Sequence, residues 1–195
     1  MGYGDLLELA KTHDRRIRTG VVFPDYDEVY RAIRRAEDIC FSAVLIGPQE
    51  TIRRRAASFG LADCRIVDAP EPEEAARVAC RLAADGEVDL LMKGSLSTAV
   101  LMRAVLDAEF GLRTGGLLSH VAVLECPDGR FLGVTDGGLN IHPDIEQKAE
   151  IIRNAVRLFH HIGVGRPRVA LLSGVEVPTE SIPSTMEAAE ITRRA

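Results

Sequence analysis

The 195-residue chain contains no tryptophan, and aromatic residues make up only 5% of it. Large rings are too few to fill its interior, so Leu, Val, Ile and Ala must do so. It also lacks an unbroken apolar run long enough to cross a bilayer, which removes a membrane helix from consideration. Positive charge is not in excess: 24 Lys+Arg stand against 29 Asp+Glu, a net charge of −5. A general electrostatic affinity for nucleic acid is thereby excluded. The arginine clusters Arg15/Arg16/Arg18 and Arg53–Arg55 are offset by acidic stretches and read as solvated faces.

Cysteine is scarce and unpatterned. Cys40, Cys64, Cys80 and Cys126 show neither metal-ligand nor redox spacing. The start carries no secretory leader pattern, so the expectation is a cytoplasmic protein with reduced, buried thiols. Cys126 is a conceivable nucleophile, but nothing near it in sequence would lower its pKa. G-x-x-x-x-G-K-[ST], G-x-G-x-x-G and H-E-x-x-H are all missing, and no Ser-His-Asp order stands out. A nucleotide P-loop, a dinucleotide fingerprint and a zinc-protease helix are therefore unsupported.

What is present is ordinary for a globular protein: 46% apolar and 27% charged residues. The length fits one large domain or two small ones. Up to residue 108, strand and helix patterns alternate. "GDLLELAKTH" has helical spacing at Leu6, Leu7 and Leu9. Strands are predicted at Ile17–Phe23, in "FSAVLIG", in "CRIVDA" and in "VDLLMKG". Helices fall between them, in residues 25–39, in "PQETIRRRAASFG" with its stop at Gly60, and in "EPEEAARVACRLAADG" with its stop at Gly86. This alternation calls for an α/β fold: a parallel sheet with helices on both faces. Ligands of such sheets gather at the carboxyl ends of strands, where the next helix begins.

The rhythm changes at "EFGLRTGG", a glycine-rich break. Beyond it, "LLSHVAVLECPDGRFLGVTDGG" reads as two strands joined by a turn at Pro127-Asp128-Gly129. "HPDIEQKAEIIRNAVRLFHHIG" is an amphipathic helix with Ile145, Ala149, Ile152, Val156 and Phe159 on one face. "RVALLSG" reads as a further buried strand. The last segment opens with Ser184 and Glu187 in capping-box spacing. The expected division is residues 1–108, an amino-terminal α/β domain, and residues 109–195, a second α/β domain that is incomplete.

"KGSLSTAVLMRAVL" stands at a strand end and opens a helix. Its first turn offers unpaired N–H groups and a partial positive charge. Gly94 allows close backbone approach. Ser95, Ser97 and Thr98 add hydroxyls, and Lys93 adds a full charge. Such a turn can hold a phosphate or another anion; equally, Ser95 can simply cap the helix. Arg103, further along, is either an exposed arginine or a fork for phosphate. Arg113 and Thr114, between glycines, either reach a cleft or decorate a solvated turn. His120 is a strand residue, structural or lining a cleft. Asp136, ahead of Gly137 and Gly138, marks a turn or offers a carboxylate to the same cleft as Ser95.

Four segments, "DLLMKGSLSTAVLMRAVL", "GLRTGGLLSHVAVLE", "GVTDGGLNIHPD" and "ALLSGVE", together resemble the phosphate acetyltransferase and phosphate butyryltransferase family in order and spacing. The likeness is strongest from residue 88 to 190, and "GLRTG-LLSHVA" is closer to the butyryl branch. The resemblance implies two α/β domains with a cleft between them, as in isocitrate and isopropylmalate dehydrogenases, usually in a homodimer. It implies acyl transfer between coenzyme A and inorganic phosphate, through an acyl phosphate, with no metal and no tightly bound cofactor. Neither a nucleic acid nor a membrane is an expected partner.

On this resemblance Lys93, Gly94, Ser95, Ser97 and Thr98 form the phosphate-contacting turn, and Arg103 meets coenzyme A. Arg113 and Thr114 begin the substrate-binding segment that enters the second domain, Ser119 and His120 continue it, and Asp136, Gly137 and Gly138 line the cleft. The family's Ser-Arg pair and its aspartate, proposed to stabilise the transition state and to act as base, lie beyond the position of Ala195. The expectation is therefore that this chain alone has little transferase activity. The alternative is a non-catalytic module that keeps coenzyme A or phosphate binding without the chemistry.

Overall fold

In the first of two units, residues 7–114, the alternation resolves into four parallel strands. β1 (Ile17–Val22), β2 (Phe41–Gly47), β3 (Arg65–Asp68) and β4 (Leu90–Lys93) are joined through α2 (Asp27–Glu37), α3 (Gln49–Ser58) and α4 (Pro72–Ala84), and α5 (Thr98–Val105) follows β4. The computed structural model describes residues 2–12 and 14–194. The strand order is β3-β2-β1-β4. The chain thus winds outward from β1 through β2 to β3, then crosses back to place β4 on the other side of β1. The carboxyl ends of β1 and β4 form the switch point of this sheet.

Successive side chains of a strand point to opposite faces, and here both faces are covered. Val22, Val44 and Ile46 pack with Ala75, Ala76, Ala79 and Cys80 of α4 and with Leu101 and Ala104 of α5. Val21, Ala43 and Leu45 pack with Tyr30 and Ile33 of α2 and with Ile52 and Ala56 of α3. The small residues of α4 let that helix lie close to the sheet. Fully buried Leu45 and Ile46 each contribute about 1.5–3 kcal/mol. Acids open α2 and basic residues close it, matching the helix dipole. Gly60 and Gly86, just past α3 and α4, take φ of 73° and 70°, which a side chain would resist. α1 (Tyr3–Lys11) forms as its spacing predicts but buries none of its residues.

The second unit comprises residues 1–6 and 115–195. β5 (Ala122–Glu125) and β6 (Phe131–Val134) pair antiparallel across the Pro127–Gly129 turn. They are shorter than the apolar pattern suggests, and Leu117–Val121 joins no ladder. α6 (Ile145–His161) buries Ile151 and Phe159; Ile145, Ala149, Ile152 and Val156, the rest of the predicted face, are half-buried. It opens with a capping box, Asp144 with Gln147, which the sequence reading missed.

Two expectations fail here. "RVALLSG" is not a buried strand: residues 168–173 join no ladder, and Val169 and Leu172 are exposed. An apolar run becomes a strand only where a neighbour offers backbone partners, and among the described residues none does. Nor do Ser184 and Glu187 form a capping box. α7 (Pro183–Arg194) begins one residue earlier; the Ser184 hydroxyl meets that of Ser173 at 2.7 Å, and Glu187 pairs with Lys148.

Candidate functional site

The β4–α5 turn stands at the switch point. The Gly94 amide donates to the Val22 carbonyl and the Ser95 amide to the Phe23 carbonyl, both at 2.8 Å. The turn therefore continues the β1–β4 ladder past the end of the strand. A Cβ on Gly94 would lie 2.4 Å from the Phe23 oxygen and 2.7 Å from the Val22 oxygen. Glycine is needed there because the backbones touch.

The helix is capped by Ser97, not Ser95. The Ser97 hydroxyl accepts from the Val100 amide at 3.2 Å, leaving the Thr98 and Ala99 amides in the first turn without an intrahelical acceptor. The Ser95 Oγ is buried and has no hydrogen-bond partner among the described residues. Buried hydroxyls are normally paired; among the described residues Thr19 Oγ1 shares this state. Lys93 Nζ donates to the Gly94 and Leu96 carbonyls, each at 3.1 Å. Two of its three donors hold the turn, and one is left. Arg103 is exposed on α5, one turn beyond Ala99, on the same stripe of the helix.

Arg113 and Thr114 are exposed beyond Gly111, whose φ is 64°. A clamp fixes the segment that leads to them. Arg77 and Arg81 of α4 pair with Glu109, and Arg77 also reaches Asp107 at 3.3 Å. Both guanidiniums lie over the Phe110 ring, 5.1 and 5.6 Å from its centroid.

Ser119, His120 and Asp136–Gly138 belong to the second unit. His120 is exposed and lies outside the strands, contrary to the expectation. Its backbone amide donates to Asp136 at 3.3 Å, and its carbonyl accepts from Thr135 Oγ1 at 2.7 Å. Asp136 also accepts from the Gly138 and Leu139 amides at 3.1 and 2.9 Å and from Asn140 Nδ2 at 2.6 Å. Burial pushes its carboxyl upward, but these donors outweigh that and hold it below the usual range. A Cβ on Gly137 would meet His120 Nδ1 at 3.3 Å.

Sequence reasoning missed the residues that brace this segment. Asn154 Nδ2 donates to the Leu117 carbonyl at 2.8 Å and to Ser119 Oγ at 3.0 Å. Glu150 accepts from the Leu117 amide at 2.8 Å, and Asn140 donates to the Leu118 carbonyl at 2.9 Å. The available signal was an amide among the apolar residues of α6. The candidate residues thus form two groups, Lys93–Thr114 in one unit and Ser119–Gly138 in the other.

The cysteines are free. Only Cys80 is buried and the others are half-buried, so the expectation of buried thiols holds for that residue alone. Burial pushes the thiols of Cys80 and Cys64 up to about 11, with Glu37 adding to the effect at Cys64. Arg15 and Arg18 are not merely solvated: both meet Asp89.

Residues 77–195 match the family model described as "Phosphate acetyl/butaryl transferase". The phosphate acetyltransferase of Rhizobium meliloti is 44% identical over 167 residues, covering 84% of this chain and 53% of that protein. That of Thermotoga maritima is 38% identical over 193 residues, 96% of this chain and 64% of that one. The phosphate butyryltransferase of Clostridium acetobutylicum is 34% identical over 195 residues, 98% and 64% of the two chains. The chain thus spans 53% to 64% of the length of these relatives. A branched-chain phosphotransacylase from Enterococcus faecalis superposes with a TM-score of 0.80 at 26% identity, covering 91% of this chain and 63% of that one. A phosphotransacetylase from Streptococcus pyogenes shares the fold, with a TM-score of 0.76 at 19% identity, over 98% of this chain and 68% of that one.

Proposed function

The chain belongs to the phosphate acetyl/butyryltransferase family, and from that premise we propose that it serves a phosphate acyltransferase. The reaction moves a short acyl group between coenzyme A and inorganic phosphate. The observation that carries this reading is the family match over residues 77–195, which includes the turn with the buried, unpartnered Ser95 hydroxyl.

The coenzyme A thiolate attacks the carbonyl carbon of an acyl phosphate. A C–S bond forms, the C–O bond to phosphate breaks, and phosphate leaves with the electron pair. Both substrates are polyanions, and charge grows on the carbonyl oxygen and the departing phosphate. Fixed donors lower such a barrier, and holding the two substrates together supplies much of the rest. Lys93, the Ser95 hydroxyl and the Thr98 and Ala99 amides suit the phosphate. Arg103 suits a coenzyme A phosphate. Arg113, Thr114, Ser119, His120 and Asp136–Gly138 are further substrate-binding residues in this reading. The division at residues 108 and 109, a homodimer and a cytoplasmic setting belong to the same proposal.

The test supplies acetyl-CoA or butyryl-CoA with phosphate to the purified protein. Thioester loss and acyl phosphate formation are followed, with calorimetric titration of coenzyme A in parallel. Coenzyme A binding that weakens in Arg103→Ala is the expected result. Turnover at an ordinary enzyme's rate would support the acyltransferase reading and overturn the expectation of little activity from this chain alone. Binding without turnover would identify a coenzyme A module instead. The absence of both would overturn the proposal.

A further inference from the structure

Phe23 follows the last residue of β1 and takes a φ of 56°, a left-handed conformation that a bulky side chain resists. It also precedes Pro24, which biases the residue before it toward extended backbone. Strain of this kind persists only where the surroundings enforce it, and it concentrates at functional sites.

The surroundings of Phe23 do enforce it. Its amide donates to the Ile46 carbonyl of β2 at 2.7 Å, and its carbonyl accepts the Ser95 amide at 2.8 Å. Its half-buried ring packs on the core cluster shared with α4 and α5. A Cβ on Gly47 would lie 3.5 Å from both its Cα and its Cδ2. One residue thus joins the carboxyl end of β2 to the turn after β4, across the switch point.

We infer that Phe23 is a positioning residue for the β4–α5 turn. Its anchored ring selects the left-handed backbone, which aims the Phe23 carbonyl at the Ser95 amide. That contact sets where the Ser95 hydroxyl and the first-turn amides stand. The inference deepens the phosphate reading of that turn and rests on it for its consequence in binding.

Amide hydrogen exchange on the full chain, resolved by residue, compares the parent with Phe23→Ala and Phe23→Leu. In Phe23→Ala the Gly94 and Ser95 amides should exchange at least about tenfold faster, while the β1–β2 ladder amides keep their protection. Phe23→Leu, which retains an apolar anchor, should restore the parent pattern. Titration with inorganic phosphate should show affinity lowered about tenfold in Phe23→Ala. If Phe23→Ala does not fold, Phe23→Gly carries the same readout, since glycine reaches positive φ without a ring to select it. Unchanged protection of Gly94 and Ser95 in the folded variant overturns the inference. A parent that ignores phosphate overturns the anion reading alone, because exchange still reports the hold of Phe23 on the turn.

Discussion

The Asn154 side chain on α6 donates to the Ser119 hydroxyl at 3.0 Å, and the same nitrogen holds the Leu117 carbonyl. A regular helix thereby dictates the path of an irregular segment that carries two candidate substrate residues. Asn154→Ala leaves the Leu117 carbonyl without this donor. It should lower unfolding stability by about 1–2 kcal/mol and weaken coenzyme A binding. Denaturant midpoints and calorimetry check both. Full stability with unchanged binding would show that Asn154 does not brace Ser119.

Ser95 and Ser97 stand two residues apart and should separate cleanly. Ser97 caps α5, so Ser97→Ala should cost about 1 kcal/mol of stability. Ser95 Oγ has no partner, so Ser95→Ala should leave stability unchanged or raised, yet weaken phosphate binding. Thermal unfolding and phosphate titration of the two variants decide the matter; a stability loss confined to Ser95→Ala would reverse the assignment.

Gly94→Ala places a methyl against the Phe23 and Val22 carbonyl oxygens. Backbone must move, and the expected cost is about 1–3 kcal/mol. Gly174→Ala, outside any helix or strand and with nothing within 4 Å, is the control and should change the denaturant midpoint by the equivalent of less than about 0.5 kcal/mol.

Asp136 links stability to pH. Its carboxyl lies below the ordinary value because the Leu139, Asn140, Gly138 and His120 donors outweigh the opposing effect of burial. Its contribution is therefore complete above the ordinary carboxylate pKa of about 3.9. It is lost as pH falls through the lower folded value. Asp136→Asn should be less stable than the parent near neutrality, with the gap closing on acidification. Denaturant midpoints across that range test this; a gap that ignores pH would contradict it.

Cys64 should resist alkylation. Its thiol is pushed up to about 11, chiefly by burial and then by the Glu37 carboxylate, so little thiolate exists at about pH 8. Labelling in the native state should run about a hundredfold slower than in denaturant. Mass spectrometry of the labelled peptide resolves the two rates, and equal rates would show the thiol to be open.

Much of the first unit was legible in order. The four strands, their crossover helices and the glycine stops at Gly60 and Gly86 all form where the apolar rhythm predicts them. The reason is that a doubly covered parallel sheet needs near-continuous apolar strands, and helix ends need a residue tolerant of positive φ. The second unit was less legible. Residues 168–173 have the composition of a strand but no ladder partner, and composition cannot state whether a partner arrives.

The sequence by itself determined the α/β order and the chemistry offered at Lys93, Ser95, Ser97 and Thr98, because periodicity and residue type are local properties. Only the tertiary structure decided that Ser97 caps while Ser95 stays unpaired. It alone revealed Phe23 behind the turn, Asn154 behind Ser119, and Asn140 behind Asp136. Those assignments depend on which carbonyl or amide from a distant segment comes within about 3 Å, and no local pattern encodes that proximity.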